Sequence, residues 1–214
     1  MKQGYTHISV ILDRSGSMES VKSDTIGGLN KFLADQKACP GEATITLVQF
    51  DDRDPYEVIN DCVPIKEAKD LTEATYTPRG WTPLLDAIGR GINDLGAKLA
   101  AKSKDQRPEK VLFVILTDGL ENDSMEFSKA KILEMIRRQT ETFKWQFMYL
   151  GANQDAIAVG MGMGIPKAAS MQYTASPLGV AATFNSASSQ ACSYRSGLTA
   201  GVSFTEEDRR SAKS

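Results

Sequence analysis

The chain's 214 residues are 41% hydrophobic and 24% charged, which suits one soluble α/β domain and leaves little room for a second. The formal net charge is −2 and the basic residues are scattered, which argues against nucleic-acid binding because phosphate contacts require clustered Lys and Arg. The sequence has neither an apolar run near the roughly 20 residues of a membrane span nor the apolar core of a secretion signal, so we expect a cytoplasmic protein without membrane contact.

Residue periodicity predicts strands and helices that alternate along the chain. In chain order these are a strand at 7–12, a helix at 20–36, strands at 43–50 and 56–65, a helix at 83–101, a strand at 110–116, a helix at 125–140, a strand at 143–150, a short helix at 154–161, a short strand at 168–173 and a helix at 177–195. Residues 66–80 are assigned mostly to a loop. The polar content of the strand at 56–65 favours a sheet edge, as the second arm of a hairpin.

Three of these segments carry the clearest signals. The helix at 83–101 has an apolar face at helical spacing. This face consists of Leu84, Ile88, Ile92, Leu95 and Leu99. The strand at 110–116 (KVLFVIL) is the most apolar run of the chain, as expected of a central strand. Near the end, Ser176 followed by Pro177 is the pattern of an N-cap and a first helical residue.

The alternation of strands with helices predicts the fold class. It is typical of a doubly wound, mainly parallel sheet with helices on both faces, here an α/β, Rossmann-like sheet with one antiparallel edge strand. Residues 1–204 are expected to form one domain, and the polar segment 205–214 is expected to be a disordered tail. Ligands of such sheets bind outside the carboxyl ends of the strands, so the residues that follow each buried strand are the candidates for function.

Oxygen-bearing side chains occur in three segments that this fold would bring to one edge of the sheet. Asp13, Ser15 and Ser17 follow the first strand, Asp118 follows the strand at 110–116, and Thr82 precedes the most amphipathic helix. Mg²⁺ takes oxygen ligands in a near-octahedral array at about 2.0–2.1 Å and keeps several waters. Two carboxylates with three neutral hydroxyls therefore predict a site for one Mg²⁺ or Mn²⁺. With so little ligand charge, the cation would stay electrophilic and could accept a further carboxylate from a partner.

The segment DRSGSM at 13–18 resembles the DxSxS motif of the metal-ion-dependent adhesion site in von Willebrand factor type A (VWA) domains. Thr82 is similar to the single threonine of that family's site, and Asp118 in LTDG is similar to its distal aspartate. The resemblance covers roughly residues 5–195 and implies the same doubly wound sheet. It also implies that the two serines and the threonine contact the metal directly, whereas the aspartates act through water.

The resemblance implies a binding function. The cation would coordinate an Asp or Glu carboxylate of a protein partner, and the chain itself would not be an enzyme. The segment GANQDA at 151–156 is similar to segments of phage and bacterial VWA proteins; for a phage-encoded member, the cytoplasm would be that of the host.

Two other functions are compatible with the sequence. An aspartate after the first strand also suits Mg²⁺-dependent phosphoryl transfer through an aspartyl-phosphate, but such enzymes usually have a second acid two residues on, where this chain has Ser15. The chain could also be a structural or assembly scaffold with a vestigial metal site. Helix capping alone would explain Asp13, Ser15 and Ser17, but it would not explain Asp118.

The remaining acidic, aromatic and sulfur-bearing residues give weaker signals. The acidic residues expected on the solvated surface, outside the ligand set, are Asp51, Asp52, Asp54, Glu121 and Asp123. Trp81, beside Thr82, is equally compatible with the rim of an interface and with the core. The three cysteines, Cys39, Cys62 and Cys192, are odd in number and lack CxxC spacing, which argues against a disulfide framework and a zinc site and favours a reducing compartment.

Overall fold

The computed structural model describes residues 1–152 and 154–214. Within these ranges, six strands form one sheet in the order β3-β2-β1-β4-β5-β6. The strands are β1 (Lys2–Asp13), β2 (Glu42–Phe50), β3 (Glu57–Pro64), β4 (Pro108–Thr117), β5 (Gln146–Ala152) and β6 (Ser170–Tyr173). Only β3, at one edge, pairs antiparallel, and the other described pairs are parallel. The predicted mainly parallel sheet with one antiparallel edge strand is confirmed.

Helices cover both faces of this sheet. They are α1 (Lys22–Ala38), α2 (Leu84–Ala100), α3 (Lys129–Phe143), α4 (Ala156–Gly162), α5 (Pro177–Arg195) and α6 (Glu206–Ser211). Neighbouring side chains on a strand point to opposite faces. Val10 of β1 shares one small void with Leu29 of α1 and Phe184 of α5. The next residue, Ile11, lies against Gly91 of α2, where an added Cβ would come within 3.0 Å of it. The pair α1 and α5 therefore covers one face, and α2 covers the other.

Helix α3 begins later than the predicted start at 125, because the preceding backbone binds another helix. The N–H groups of Met125 and Phe127 each donate to the carboxylate of Asp86 in α2 at 2.8 Å. Ser128 then caps α3, since its hydroxyl accepts from the N–H of Lys131 at 3.3 Å. The sequence around 125 continues the helical pattern, but it does not show that the carboxylate of Asp86 accepts hydrogen bonds from this backbone.

The chain end is ordered, which corrects the expectation of a disordered tail at 205–214. Thr205 and Asp208 form a reciprocal capping box at the start of α6. Ala212 is fully buried, and its carbonyl accepts from the N–H of Thr174 at 2.9 Å. Arg209 donates to the carbonyl of Ser170 in β6 at 2.6 Å. The last ten residues therefore pack against the edge strand of the same sheet.

A disulfide joins the end of α1 to α5, which corrects the inference from the odd cysteine count that argued against a disulfide framework. Cys39 and Cys192 are bonded, with Cα atoms 5.9 Å apart, and Cys62 is free. Polar contacts strengthen the same junction. Gln36 Nε2 donates to the carbonyl of Ser188 at 3.1 Å, and Arg195 Nη1 donates to the carbonyl of Gln36 at 2.7 Å. The two cysteines are 153 residues apart, so only the packing of α1 on α5 makes them neighbours.

Candidate metal site

All five predicted ligand residues lie at the carboxyl edge of the parallel strands. Leu12 of β1 pairs with Leu116 of β4, so the two strands end side by side. Asp13 and Asp118 therefore lie at the same edge of the sheet. Thr82 lies two residues before the start of α2. No helix in the described ranges is long and apolar enough to cross a membrane.

The three hydroxyl groups converge beside Gly119. A Cβ added to this glycine would lie 3.2 Å from Thr82 Oγ1. The same point lies 3.4 Å from Ser17 Oγ and 3.8 Å from Ser15 Oγ. The two serine hydroxyls are 3.2 Å apart, and Ser17 Oγ donates to Asp118 Oδ1 at 2.6 Å. Four of the five oxygen-bearing side chains thus surround one small space that the missing side chain of Gly119 leaves open.

Asp13 forms the buried floor of this site. Its Oδ1 accepts from the N–H of Ser15 at 2.7 Å, and its Oδ2 accepts from the hydroxyl of Thr117 at 2.5 Å. Burial raises the pKa of Asp13 to about 6, although these two hydrogen bonds oppose the shift, and the nearby Asp118 raises it slightly further. The carboxylate is therefore fixed in orientation, and a cation close by would stabilise its charged form.

Asp118 has a similar environment. It is almost fully buried, and burial raises its pKa while the hydrogen bond from Ser17 acts in the opposite direction. Two buried carboxylates at one sheet edge make the local potential negative. Such a potential favours a cation at this edge.

The chemistry of the donors fits a hard cation. Within the part of the chain that the structure describes, no group of three or more His, Cys, Asp or Glu side chains is arranged as a metal site. The candidate site is of a different kind, because three of its five donors are hydroxyls. Oxygen donors of this sort suit Mg²⁺ or Mn²⁺, whereas Zn²⁺ sites are built mainly from thiolates and imidazoles.

Two residues outside the predicted set fix Asp13 in place. Thr117 donates to its carboxylate and also accepts from the N–H of Gly119 at 3.1 Å. Tyr76 donates from its hydroxyl to the backbone carbonyl of Asp13 at 2.5 Å. Thr117 is the neighbour of Asp118 in the LTDG segment, so the sequence could have indicated that it lies near the site. Tyr76 lies in the stretch assigned to a loop, where the sequence gives no signal for it.

Asp51 is a buried anchor rather than the surface residue that the sequence suggested. It is fully buried and accepts from Arg14 Nε at 2.7 Å and from Arg79 Nε at 2.9 Å. Arg14 also pairs with Glu57 at the start of β3, and its carbonyl accepts from the N–H of Arg79 at 2.9 Å. These contacts fasten together the DRSGSM segment, the β2–β3 turn and the segment before Thr82.

Glu121 likewise binds backbone instead of only facing solvent. Its Oε2 accepts from the N–H of Leu85 at 2.9 Å, one of the donors that a helix start leaves without a partner. Asn122 Oδ1 accepts from the N–H of Thr82 at 2.8 Å. Asp123 is exposed, as expected. The loop after Asp118 therefore positions Thr82 and the start of α2.

Asp52 and Asp54 were predicted to be on the solvated surface, but both are half-buried. Trp81 is 62% exposed, so it lies at the rim of the site and not in the core. Leu120, two residues after Asp118, is 60% exposed. Two large apolar side chains close in sequence to Thr82 and Asp118 are thus open to solvent.

Solved structures with the same architecture identify the fold. The zinc-occupied structure of proximal thread matrix protein 1 from the mussel byssus aligns with a TM-score of 0.59 at 13% identity, over 88% of this chain and 46% of that one. The ArnB paralog VWA2 from Sulfolobus acidocaldarius aligns with a TM-score of 0.51 at 17% identity, over 87% and 45%. The SpRpn10 VWA domain aligns with a TM-score of 0.53 at 9% identity, over 85% and 94%. This protein has the von Willebrand factor type A fold.

The similarity is one of structure and not of sequence. The sequence matches no protein-family model, and no curated protein is similar to it at the sequence level. The chain spans less than half the length of the mussel and Sulfolobus proteins. The mussel structure has zinc in its metal-ion-dependent adhesion motif, so at least one protein of this fold binds a divalent metal there.

Proposed function

We propose that this VWA-fold chain is a metal-dependent protein-binding module and not an enzyme. One Mg²⁺ or Mn²⁺ would be held directly by the hydroxyls of Ser15, Ser17 and Thr82. The aspartates Asp13 and Asp118 would act through water. The last position of the metal would take an Asp or Glu carboxylate of a partner protein.

The observation that carries this proposal is the convergence of three hydroxyls and a carboxylate on the space beside Gly119. Ser15 and Thr82 are buried, whereas Ser17 is exposed. The site is therefore closed on the side of the sheet and open where Ser17 faces solvent. A partner's carboxylate would approach from that side, past the exposed Trp81. Aromatic side chains of this kind are enriched in protein interfaces.

The surroundings of Asp13 favour binding over phosphoryl transfer. This residue would be the nucleophile of an aspartyl-phosphate mechanism, but both of its carboxylate oxygens already accept hydrogen bonds. Two residues on, where such enzymes usually have a second acid, Ser15 directs its hydroxyl towards Ser17. The arrangement suits the holding of a cation better than the attack on a phosphoryl group.

A phage or bacterial cytoplasm remains our proposal for the place of action. The disulfide between Cys39 and Cys192 weighs against it, because disulfides are rare in the cytosol. The number of reactive thiols in the purified protein would show whether this bond forms.

The proposal is tested by thermal unfolding with Mg²⁺, with Mn²⁺ and with a chelator. A metal that binds only the folded protein stabilises it by about 2.7 kcal/mol at a hundredfold excess over its Kd, which for a chain of this size corresponds to roughly 5–10 °C. We expect this rise in the wild type and its loss in Asp13→Ala and in Ser17→Ala. Ser17 is exposed, so its variant keeps the test valid if the loss of Asp13 impairs folding.

The matched control is Asp70→Ala, which removes an exposed carboxylate that pairs with Lys37. Its metal-dependent rise should equal that of the wild type. An equal rise in Ser17→Ala would show that the metal binds elsewhere. The absence of a rise in the wild type would favour the scaffold function with a vestigial site.

A further inference from the structure

A second cavity lies at the opposite end of the sheet from the metal site. It has a volume of about 390 Å³ and lies where β4 begins, at Pro108, whereas β4 ends at the metal site with Thr117. The second half of α2 and the end of α3 form its walls. It therefore shares no lining residue with the candidate metal site.

The interior of this cavity is apolar. Ile92 and Leu99 of α2 line it together with Val111 of β4. Trp145, just before β5, also lines it and is only 4% exposed. Phe143, at the end of α3, also lines the cavity and is 44% exposed, so part of the aromatic lining faces solvent. Small-molecule sites are typically concave, about 300–1,000 Å³ in volume and mainly apolar, and this cavity has all three properties.

Charged groups at the mouth are unequal in sign. Arg107 and Arg138 both line the cavity, against one acid, Glu109. Arg107 binds the carbonyls of Lys102 and Ala100 through Nε and Nη2. Within the described residues, the side chain of Arg138 takes part in no hydrogen bond or ion pair. An anionic group at the mouth would therefore meet a guanidinium that has no other partner, and Arg binds carboxylates with paired donors.

We propose that this cavity binds a small amphipathic carboxylate, with an apolar chain against Trp145 and its acid group at Arg138. The apolar body would cover side chains that are otherwise open to water, and the guanidinium would neutralise the head group. The volume is that of a small molecule and not of a protein segment. The proposal is independent of the metal site, because no residue that lines the cavity belongs to that site.

The test is titration calorimetry with decanoate, which has an apolar chain and one carboxylate. Gly96 lines the cavity, and a Cβ added there meets no atom within 4 Å. The substitution Gly96→Leu would therefore fill the space. Because leucine has a higher helix propensity than glycine, the fold should be preserved. We expect decanoate binding to the wild type and its loss in Gly96→Leu.

Gly27→Leu is the matched control, because Gly27 is an exposed glycine of α1 that also meets no atom within 4 Å. It should bind decanoate as the wild type does. Arg138→Ala should weaken binding by roughly tenfold, as expected for one lost charged hydrogen bond. Decanol, which lacks the carboxylate, should bind the wild type more weakly than decanoate by a similar factor.

Four results would overturn the proposal. Three of them are no decanoate binding to the wild type, unchanged binding to Gly96→Leu, and equal affinity for decanol and decanoate. The fourth is self-association: a wild-type dimer that Gly96→Leu converts to a monomer would assign the cavity to a second copy of the chain. Size-exclusion chromatography of the two proteins measures this outcome.

Discussion

The two ends of the sheet have opposite chemistry. At the carboxyl edge, buried carboxylates and hydroxyls surround an open space beside Gly119. At the amino edge, apolar side chains and Trp145 surround a cavity of about 390 Å³. Helix α2 joins them, and its 17 residues span about 26 Å. One sheet can thus present two unlike sites, because the residues at its strand ends, and not its hydrogen bonds, decide what each edge binds.

The polar end depends on buried charges, and Asp51 tests this most strongly. Asp51→Ala would leave Arg14 and Arg79 without their shared carboxylate. Removal of one partner from a buried ion pair costs about 3–5 kcal/mol, and we expect a loss of that size in the free energy of unfolding, measured with urea. The exposed control Asp70→Ala should cost no more than about 1 kcal/mol.

The same variant separates the two ends. Because Asp51 fastens the segments that carry the proposed metal ligands, Asp51→Ala should also reduce the metal-dependent rise in melting temperature. Its affinity for decanoate should match that of the wild type, since distant sites behave additively. A variant that keeps the full metal response would show that the cluster around Asp51 stabilises the fold without positioning the site.

The amino end is held by a covalent bond between α1 and α5. Unfolded without reductant, the protein should expose one reactive thiol per chain, that of Cys62, and three after reduction. Replacement of Cys39 and Cys192 by Ser should lower the free energy of unfolding by about 2–4 kcal/mol relative to the oxidised wild type. Three reactive thiols before reduction would mean that the bond is absent and would restore the expectation of a reducing compartment.

The third prediction concerns His7, which is buried in the first half of β1. Its Nδ1 lies 2.9 Å from Thr44 Oγ1, and its Nε2 has no partner within the described structure. Burial, and to a smaller extent Lys102 and Lys98, lower its pKa from 6.5 to about 3. Below pH 6.5 the unfolded chain therefore binds a proton that the folded chain does not. The contribution of the neutral His7 to the free energy of unfolding is therefore complete above pH 6.5 and is lost as the pH falls towards 3.

The expected slope is about 1.4 kcal/mol for each pH unit below 6.5. It is measured by urea unfolding of the wild type and of His7→Gln at about pH 5.5 and about pH 4.5. The difference between the two slopes isolates His7, because the carboxylates titrate in both proteins. Identical slopes would show that His7 is accessible to protons in the folded state.

Much of the candidate site could be read from the sequence. Asp13, Ser15 and Ser17 lie within five residues, and Thr82 and Asp118 each adjoin a strongly patterned helix or strand. The parallel sheet then requires them to share an edge. Asp51 and Glu121 were assigned to the surface, because acidic residues in turns are usually solvated. Their partners, Arg79 and Leu85, lie 28 and 36 residues away, a separation that no local pattern reports.

The sequence by itself determined the alternation of strands and helices, the buried central strand and the donor types at the strand ends, because these follow from side-chain periodicity over a few neighbouring residues. Only the tertiary structure decided the rest: the pairing of Cys39 with Cys192, the late start of α3, the ordered chain end and the cavity beside Trp145. Each of these depends on groups that are distant in sequence and meet only when the helices pack on the sheet, since burial and hydrogen bonding are set by neighbours in space.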